Sequence, residues 1–175
     1  MQRKIARENA FILIFERVCK NDEAAEEIFE KVSIKPAQIL LSHDDFGNRN
    51  RMVNLNNTLT ALFDYGVLPI INENDTVATE EIKVGDNDTL SALVATSVEA
   101  DLLILLSDID GLYTSDPHKD KNARLLSAVD AITPEIMALG GDSESGLGTG
   151  GMATKLTAAK MCTDAGCDMV IANGS

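Results

Sequence analysis

Apolar residues follow two alternating rhythms along this chain. From residue 37 onward, short apolar runs, "AQILLS" (37–42), "VLPII" (67–71), "DLLILLS" (101–107) and "MVIA" (169–172), take turns with longer stretches whose apolar positions recur every three or four residues. The short runs read as buried strands and the longer spacing as helices with one apolar face. "NLNNTLTALFDYG" (54–66) puts Leu55, Leu59, Leu62 and Phe63 on one helical face, and "DTLSALVATSVEA" (88–100) predicts a second helix. "MATKLTAAKMCTDAG" (152–166) predicts a third, with Met152, Leu156, Ala159 and Cys162 near helical spacing and Gly166 as its stop. Strand and helix in regular alternation predict an α/β fold, a three-layer sandwich with a mainly parallel sheet. The strongest signal for a buried strand lies at 101–107. Residues 1–33 break the rhythm and read as two helices, one with Phe11, Ile14, Phe15 and Val18 on a face, the other with Ile28, Phe29 and Val32.

Polar residues follow each apolar run at once. "ILLS" leads into His43, Asp44 and Asp45, "PII" into Asn72, Glu73, Asn74 and Asp75, and "LILLS" into Asp108 and Asp110. Loop starts are ordinarily polar, which accounts for any one of these. Three acidic clusters at one sheet edge suggest more, because ligands of open parallel sheets bind beyond the carboxyl ends of the strands. "GDND" (85–88) adds a fourth just before a helix, where Asp88 is a candidate N-cap.

Composition narrows the classes. With 175 residues, 45% of them hydrophobic, the chain is long enough for a substantial core. No apolar run approaches the roughly 18 residues of a membrane span, and the N-terminus lacks a signal-peptide layout, so the sequence is expected to be cytoplasmic and off the membrane. Three cysteines, Cys19, Cys162 and Cys167, have no metal-ligand spacing and read as reduced, mostly buried thiols. A net charge of −13 disfavours general nucleic-acid binding. It also means that an anionic ligand has to be met by local donors and a metal ion.

"SGLGTGGMATK" (145–155) supplies such donors, with four glycines between 146 and 151 and a lysine at the end. The P-loop pattern fails here: Gly146 and Gly151 have its spacing, but Met152 stands in the lysine's place. Gly146, Gly148 and Gly151 satisfy the dinucleotide pattern in the wrong context, after polar residues instead of a strand. A glycine loop opening a helix still presents backbone N–H groups at the positive end of the helix dipole. Lys155, one turn in, is in position to reach the same anion. The stretch is a phosphate-loop candidate; the plainer alternative is a flexible surface loop.

With these pieces in place, "GVLPIINENDTVATEEIKVGDNDTLSALVA" (66–95), "ADLLILLSDIDGLYTSDP" (100–117) and "GLGTGGMATKLTAAKMCTDAG" (146–166) resemble the glutamate 5-kinase branch of the amino-acid kinase family in order and spacing. The similarity runs over about residues 36–175. It implies transfer of the ATP γ-phosphoryl group to the glutamate side-chain carboxylate with Mg²⁺, the first step towards proline. It further implies that Ser107, Asp108 and the loop residues Thr149, Gly150, Gly151, Met152, Ala153, Thr154 and Lys155 bind ATP. Asp75 and Asn87 are then expected to hold glutamate, and Asp88 to organise the cations around the transferred phosphoryl group. Lys155 and Asp88 are the catalytic candidates; no metal ligand is singled out, and self-association is left open. Alternatives are a kinase of the same fold acting on another carboxylate, carbamate or a nucleotide, and a non-catalytic nucleotide- or RNA-binding module.

Two features depart from the family pattern. The family opens with a strand carrying a lysine and a glycine-rich turn, and residues 1–33 do not match it; they resemble instead the start of the Nus-type B antitermination factors, with Arg3, Lys4 and Arg7 as RNA-facing charges, the equally good alternative being plain packing helices. The chain also stops at Ser175, directly after a strand, where the family continues. The expected organisation is therefore a helical segment at 1–33 whose origin the sequence leaves open and a partial kinase domain at 34–175, a fragment or chimera with little or no glutamate-kinase turnover of its own.

Overall fold

A computed structural model of the chain describes residues 13–14, 35–77, 86–141 and 151–174. It divides into two compact units, Met1–Leu90 and Ser91–Ser175. Parallel strands in both units put the chain in the α/β class that the alternating pattern predicts.

In the first unit, β1 (Leu13–Ile14), β2 (Lys35–Leu41) and β3 (Val67–Glu73) form a parallel sheet of order β1-β3-β2. Helix α1 (His43–Gly47) follows β2, and α2 (Arg49–Asp64) carries the chain across to β3. Asn48 starts α2: its Oδ1 accepts from the Asn50 N–H at 2.9 Å and the Arg51 N–H at 3.3 Å, satisfying donors that a helix start leaves unpaired. Leu55 and Leu59 of the predicted face are buried, and Gly66 at φ 66° takes the left-handed position that ends the helix. Leu13–Ile14 is a correction. The helical reading of 1–33 covers this pair, yet it lies in register with Ile70 and Ile71 as a strand. An unbroken apolar run such as "FILIF" suits either period, and pairing with a distant strand settles it. The remainder of that segment lies outside the described residues.

The second unit is built on β4 (Leu102–Ser107) and β5 (Asp168–Asn173), parallel and in register from Leu102↔Asp168 to Ser107↔Asn173. Helix α3 (Asn87–Ser97) precedes β4, while α4 (Pro134–Ala138) and α5 (Met152–Asp164) lead into β5. Ala92, Ala95, Leu105, Ala158, Cys162 and Cys167 form one buried cluster from α3, β4, α5 and the turn after α5. The expectation of a wholly buried β4 needs amendment: Leu105 is buried, but Leu102, Ile104 and Leu106 are 49%, 54% and 65% exposed. Alternation sends every second residue to the opposite face, and an all-apolar strand does not reveal which face carries a helix.

Gly140 joins α4 to α5 by close approach. A Cβ there would stand 2.9 Å from Ala153 Cα and 3.1 Å from Ala153 N, so only glycine fits against the first turn of α5 unless backbone moves.

Candidate phosphate-binding site

At the carboxyl end of β4 the chain turns sharply, and hydrogen bonds hold the turn. Asp110 accepts from Asn173 Nδ2 at 2.9 Å through Oδ1 and from the Tyr113 hydroxyl at 3.3 Å through Oδ2. The Gly174 N–H donates to the Ser107 carbonyl at 2.9 Å. These contacts tie the tip of β4 to the end of β5 and hold the Ser107–Asp108 pair in position. Tyr113 is pushed above its ordinary value by desolvation and then by the negative charge of Asp110. Asp110 therefore has a structural role.

Ser107, Asp108 and Ile109 form one wall of a cavity of about 160 Å³; Gly151, Met152 and Lys155 form another, and His118 lines it from a third segment. All seven belong to the second unit. The cavity is much smaller than the ~300–1,000 Å³ of a pocket that encloses a whole drug-sized ligand. It has room for the phosphoryl end of a nucleotide.

The glycine-to-helix junction is closed by local hydrogen bonds. Thr154 closes the first turn of α5: its Oγ1 accepts from the Gly151 N–H at 3.1 Å and donates to the Gly151 carbonyl at 2.7 Å. The Thr154 N–H also donates to that carbonyl at 3.1 Å. These bonds are local, so the N–H groups of Met152 and Ala153, at positions a helix cannot satisfy internally, are the ones aimed along the dipole. Lys155 is 8% exposed, a cation held at the cavity and not a surface charge. Thr149 and Gly150 lie outside the described residues. Among the described residues, no group of three or more His, Cys, Asp or Glu side chains is placed to hold a metal ion. Asp108 is the carboxylate at the cavity.

The first unit holds the remaining candidates. Asp75 is exposed in the turn after β3, and Asn87 is the half-buried first residue of α3. Asp88 is 7% exposed in the first turn of the same helix. The candidate N-cap role of Asp88 is a correction, since Asp86 fills it: the Thr89 N–H donates to Asp86 Oδ1 at 2.7 Å and the Leu90 N–H to the Asp86 carbonyl at 3.1 Å. Either aspartate suits a cap chemically, and only the point where the backbone turns helical selects between them. In the cluster after β2, Asp45 is also explained locally. Asp45 accepts from the Ser42 N–H at 2.7 Å, from Ser42 Oγ at 2.8 Å and from Arg51 at 3.0 Å. Burial raises its pKa, but these bonds outweigh it and hold the carboxyl below the usual carboxylate range.

His118 and Ile109 were not among the residues singled out from sequence. "SDPHKD" (115–120) offers only a histidine in a turn-rich loop, with no spacing that links it to the glycine run some thirty residues away.

Among the described residues, no helix is long and apolar enough to cross a membrane. The profile of the amino acid kinase family matches residues 6–173, a span that takes in most of the 1–33 segment. Glutamate 5-kinase of Carboxydothermus hydrogenoformans is 56% identical over 147 residues, which are 84% of this chain and 40% of that protein. Glutamate 5-kinase of Clostridium acetobutylicum is 53% identical over 149 residues, 85% of this chain and 56% of the relative. The chain thus spans about half the length of the curated relatives it matches. A crystal structure of UMP kinase from Ureaplasma parvum aligns with a TM-score of 0.50 at 17% identity, covering 87% of this chain and 57% of that one, a likeness of fold.

Proposed function

Because the chain belongs to the amino acid kinase family, we propose that it binds ATP through the second-unit cavity and serves a kinase that phosphorylates the side-chain carboxylate of glutamate. The observation that carries this reading is the convergence of Ser107, Asp108, Gly151, Met152 and Lys155 on one cavity of phosphoryl size. Transfer between a nucleotide and a carboxylate brings two anions together, so the protein contributes positioning and charge neutralisation more than covalent chemistry. Lys155 and the first-turn N–H groups of α5 hold the phosphates, and Ser107 donates its hydroxyl at the strand tip. Magnesium suits this donor set. It keeps several waters and is ordinarily held by one or two carboxylates together with substrate phosphates, a part Asp108 is equipped to play. When bound, the ion neutralises charge developing on the transferred group. Asp75 and Asn87 hold glutamate in this reading, and Asp88 orders the cations near the acceptor. The identities above 50% to glutamate 5-kinases favour glutamate over other acceptors. The product is an acyl phosphate, the first intermediate towards proline, and a cytoplasmic location fits that chemistry. Residues 34–175 constitute the kinase portion.

The test is thermal melting of the 175-residue chain with Mg·ATP and, in parallel, glutamate, aspartate or carbamate, with ADP release followed in the same samples. The expected result is stabilisation by ATP and a further shift with glutamate alone. Equal shifts with aspartate or carbamate assign the fold to another acceptor, and no shift with ATP removes the nucleotide reading.

A further inference from the structure

The loop between β4 and α4 carries more order than its polar composition requires. Asp116 accepts from the His118 N–H at 2.9 Å through Oδ1 and pairs with Lys119 Nζ at 3.3 Å through Oδ2. Its carbonyl accepts from the Lys119 N–H at 3.1 Å and the Asp120 N–H at 2.8 Å. Asp120 in turn accepts from Ser115 Oγ at 2.8 Å and the Asn122 N–H at 2.9 Å. Both carboxyls lie below the usual carboxylate range: Asp116 chiefly through the His118 N–H, Asp120 chiefly through the Asn122 N–H. The turn is thus fixed by its own acids. Lys119 is drawn back onto Asp116, whereas the residue between Pro117 and Lys119 lines the cavity.

We propose that His118 is a phosphate-contacting, specificity-determining residue of this cavity, its imidazole donating to a phosphoryl oxygen of a bound nucleoside di- or triphosphate. The inference rests on the nucleotide reading of the site and extends it to a residue on a third segment. Two features support it. The cavity presents the Asp108 carboxylate to an anionic ligand in a chain of net charge −13, and among the described residues Lys155 is the one lysine or arginine that lines it. A further side-chain donor facing the phosphates therefore adds to the α5 N–H groups and the Ser107 hydroxyl. The Asp116–Asp120 turn also fixes the backbone that carries the imidazole, which lowers the ordering cost of a contact from an exposed loop. Lys155 enters from helix α5 and His118 from the loop, so the two constrain a phosphate chain from separate segments. That arrangement selects for ligands with more than one phosphoryl group.

The experiment titrates the chain and its His118→Ala, His118→Gln and Lys155→Ala variants with Mg·ATP and with adenosine by calorimetry. His118→Ala is expected to weaken ATP about tenfold, the scale of one hydrogen bond to a charged group at a partly exposed site. Adenosine binding stays unchanged, and His118→Gln, whose amide still donates, recovers most of the loss. Because His118 is exposed, His118→Ala should melt with the parent chain. ATP binding equal to the parent in His118→Ala, while Lys155→Ala loses it, overturns the role of His118 and leaves the nucleotide reading standing. An equal loss of adenosine overturns the phosphate contact. A parent chain that binds no ATP removes both.

Discussion

Lys155→Ala is the sharpest perturbation of the proposed site. The residue is 8% exposed and borders a cavity of about 160 Å³, so its charge sits where solvent screening is weaker than at the open surface. A unit charge about 4 Å from an anion is worth about 4 kcal/mol at the effective dielectric of a protein site. Desolvation reduces that figure, and measured losses for truncating one partner of a buried charge pair run at about 2–5 kcal/mol. A loss of about 3 kcal/mol corresponds to affinity for Mg·ATP lower by about a hundredfold. Lys160 provides the internal control. It lies five residues on in the same helix, 53% exposed at its side chain and paired with Asp164 at 3.0 Å. An exposed i,i+4 pair contributes about 0.3–0.5 kcal/mol to stability, so Lys160→Ala should melt slightly earlier and bind ATP as before. Calorimetric titration of both variants with Mg·ATP reads the contrast. Since Lys155 is buried, Lys155→Met keeps an apolar stem in the same space and guards against a simple folding defect. If Lys155→Ala and Lys160→Ala bind ATP equally, or Lys155→Met binds as tightly as the parent, Lys155 does not meet the phosphates.

Three further outcomes follow from other parts of the molecule. Asp75→Ala and Asn87→Ala should leave ATP binding intact while raising the glutamate needed for stabilisation more than tenfold, from a loss of about 2–5 kcal/mol; glutamate shifts equal to the parent in melting assays remove these residues from its site. Gly140→Ala forces a Cβ to within 2.9 Å of Ala153 Cα, and overpacking of this kind costs about 1–3 kcal/mol. A lower melting temperature with weaker ATP binding is expected, and an unchanged melting curve counts against the tight junction. Burial pushes the Cys162 thiol from an ordinary 9.0 up to about 12, so its folded pKa is raised. Stability from this group is whole below pH 9.0 and is lost as pH rises towards about 12. Cys162→Ala should flatten that alkaline decline in urea titrations, and native Cys162 should resist iodoacetamide at pH 8. Rapid native alkylation would contradict its burial.

Much of the architecture could be read directly from spacing. The runs at 37–42, 67–71, 101–107 and 169–172 became β2 to β5, and the helical spacings at 54–66, 88–100 and 152–166 became parts of α2, α3 and α5, because period and length act on neighbouring residues. The glycine run opening a helix was legible for the same reason: a loop, a helix start and a lysine one turn in are all local. The similarity to kinases rests likewise on contiguous stretches.

Tertiary structure decided what spacing cannot carry. Asp86 and Asp88 are equally good caps as residues, and the backbone geometry chose Asp86. Leu13–Ile14 has apolar neighbours suited to either a helix or a strand, and Ile70 and Ile71 more than fifty residues away provide the pairing that makes it a strand. Half of β4 is exposed because a helix covers one face, a fact that resides in the helix and not in the strand. The cavity itself draws on residues 107–109, 118, 151, 152 and 155. His118 carries no mark in "SDPHKD" that distinguishes it from a solvated loop histidine; only the folding of three segments to one place brings it beside Lys155. Local periodicity specifies elements through bonds between near neighbours, whereas a binding site is a set of distances between segments remote in the chain, and those distances exist only after packing.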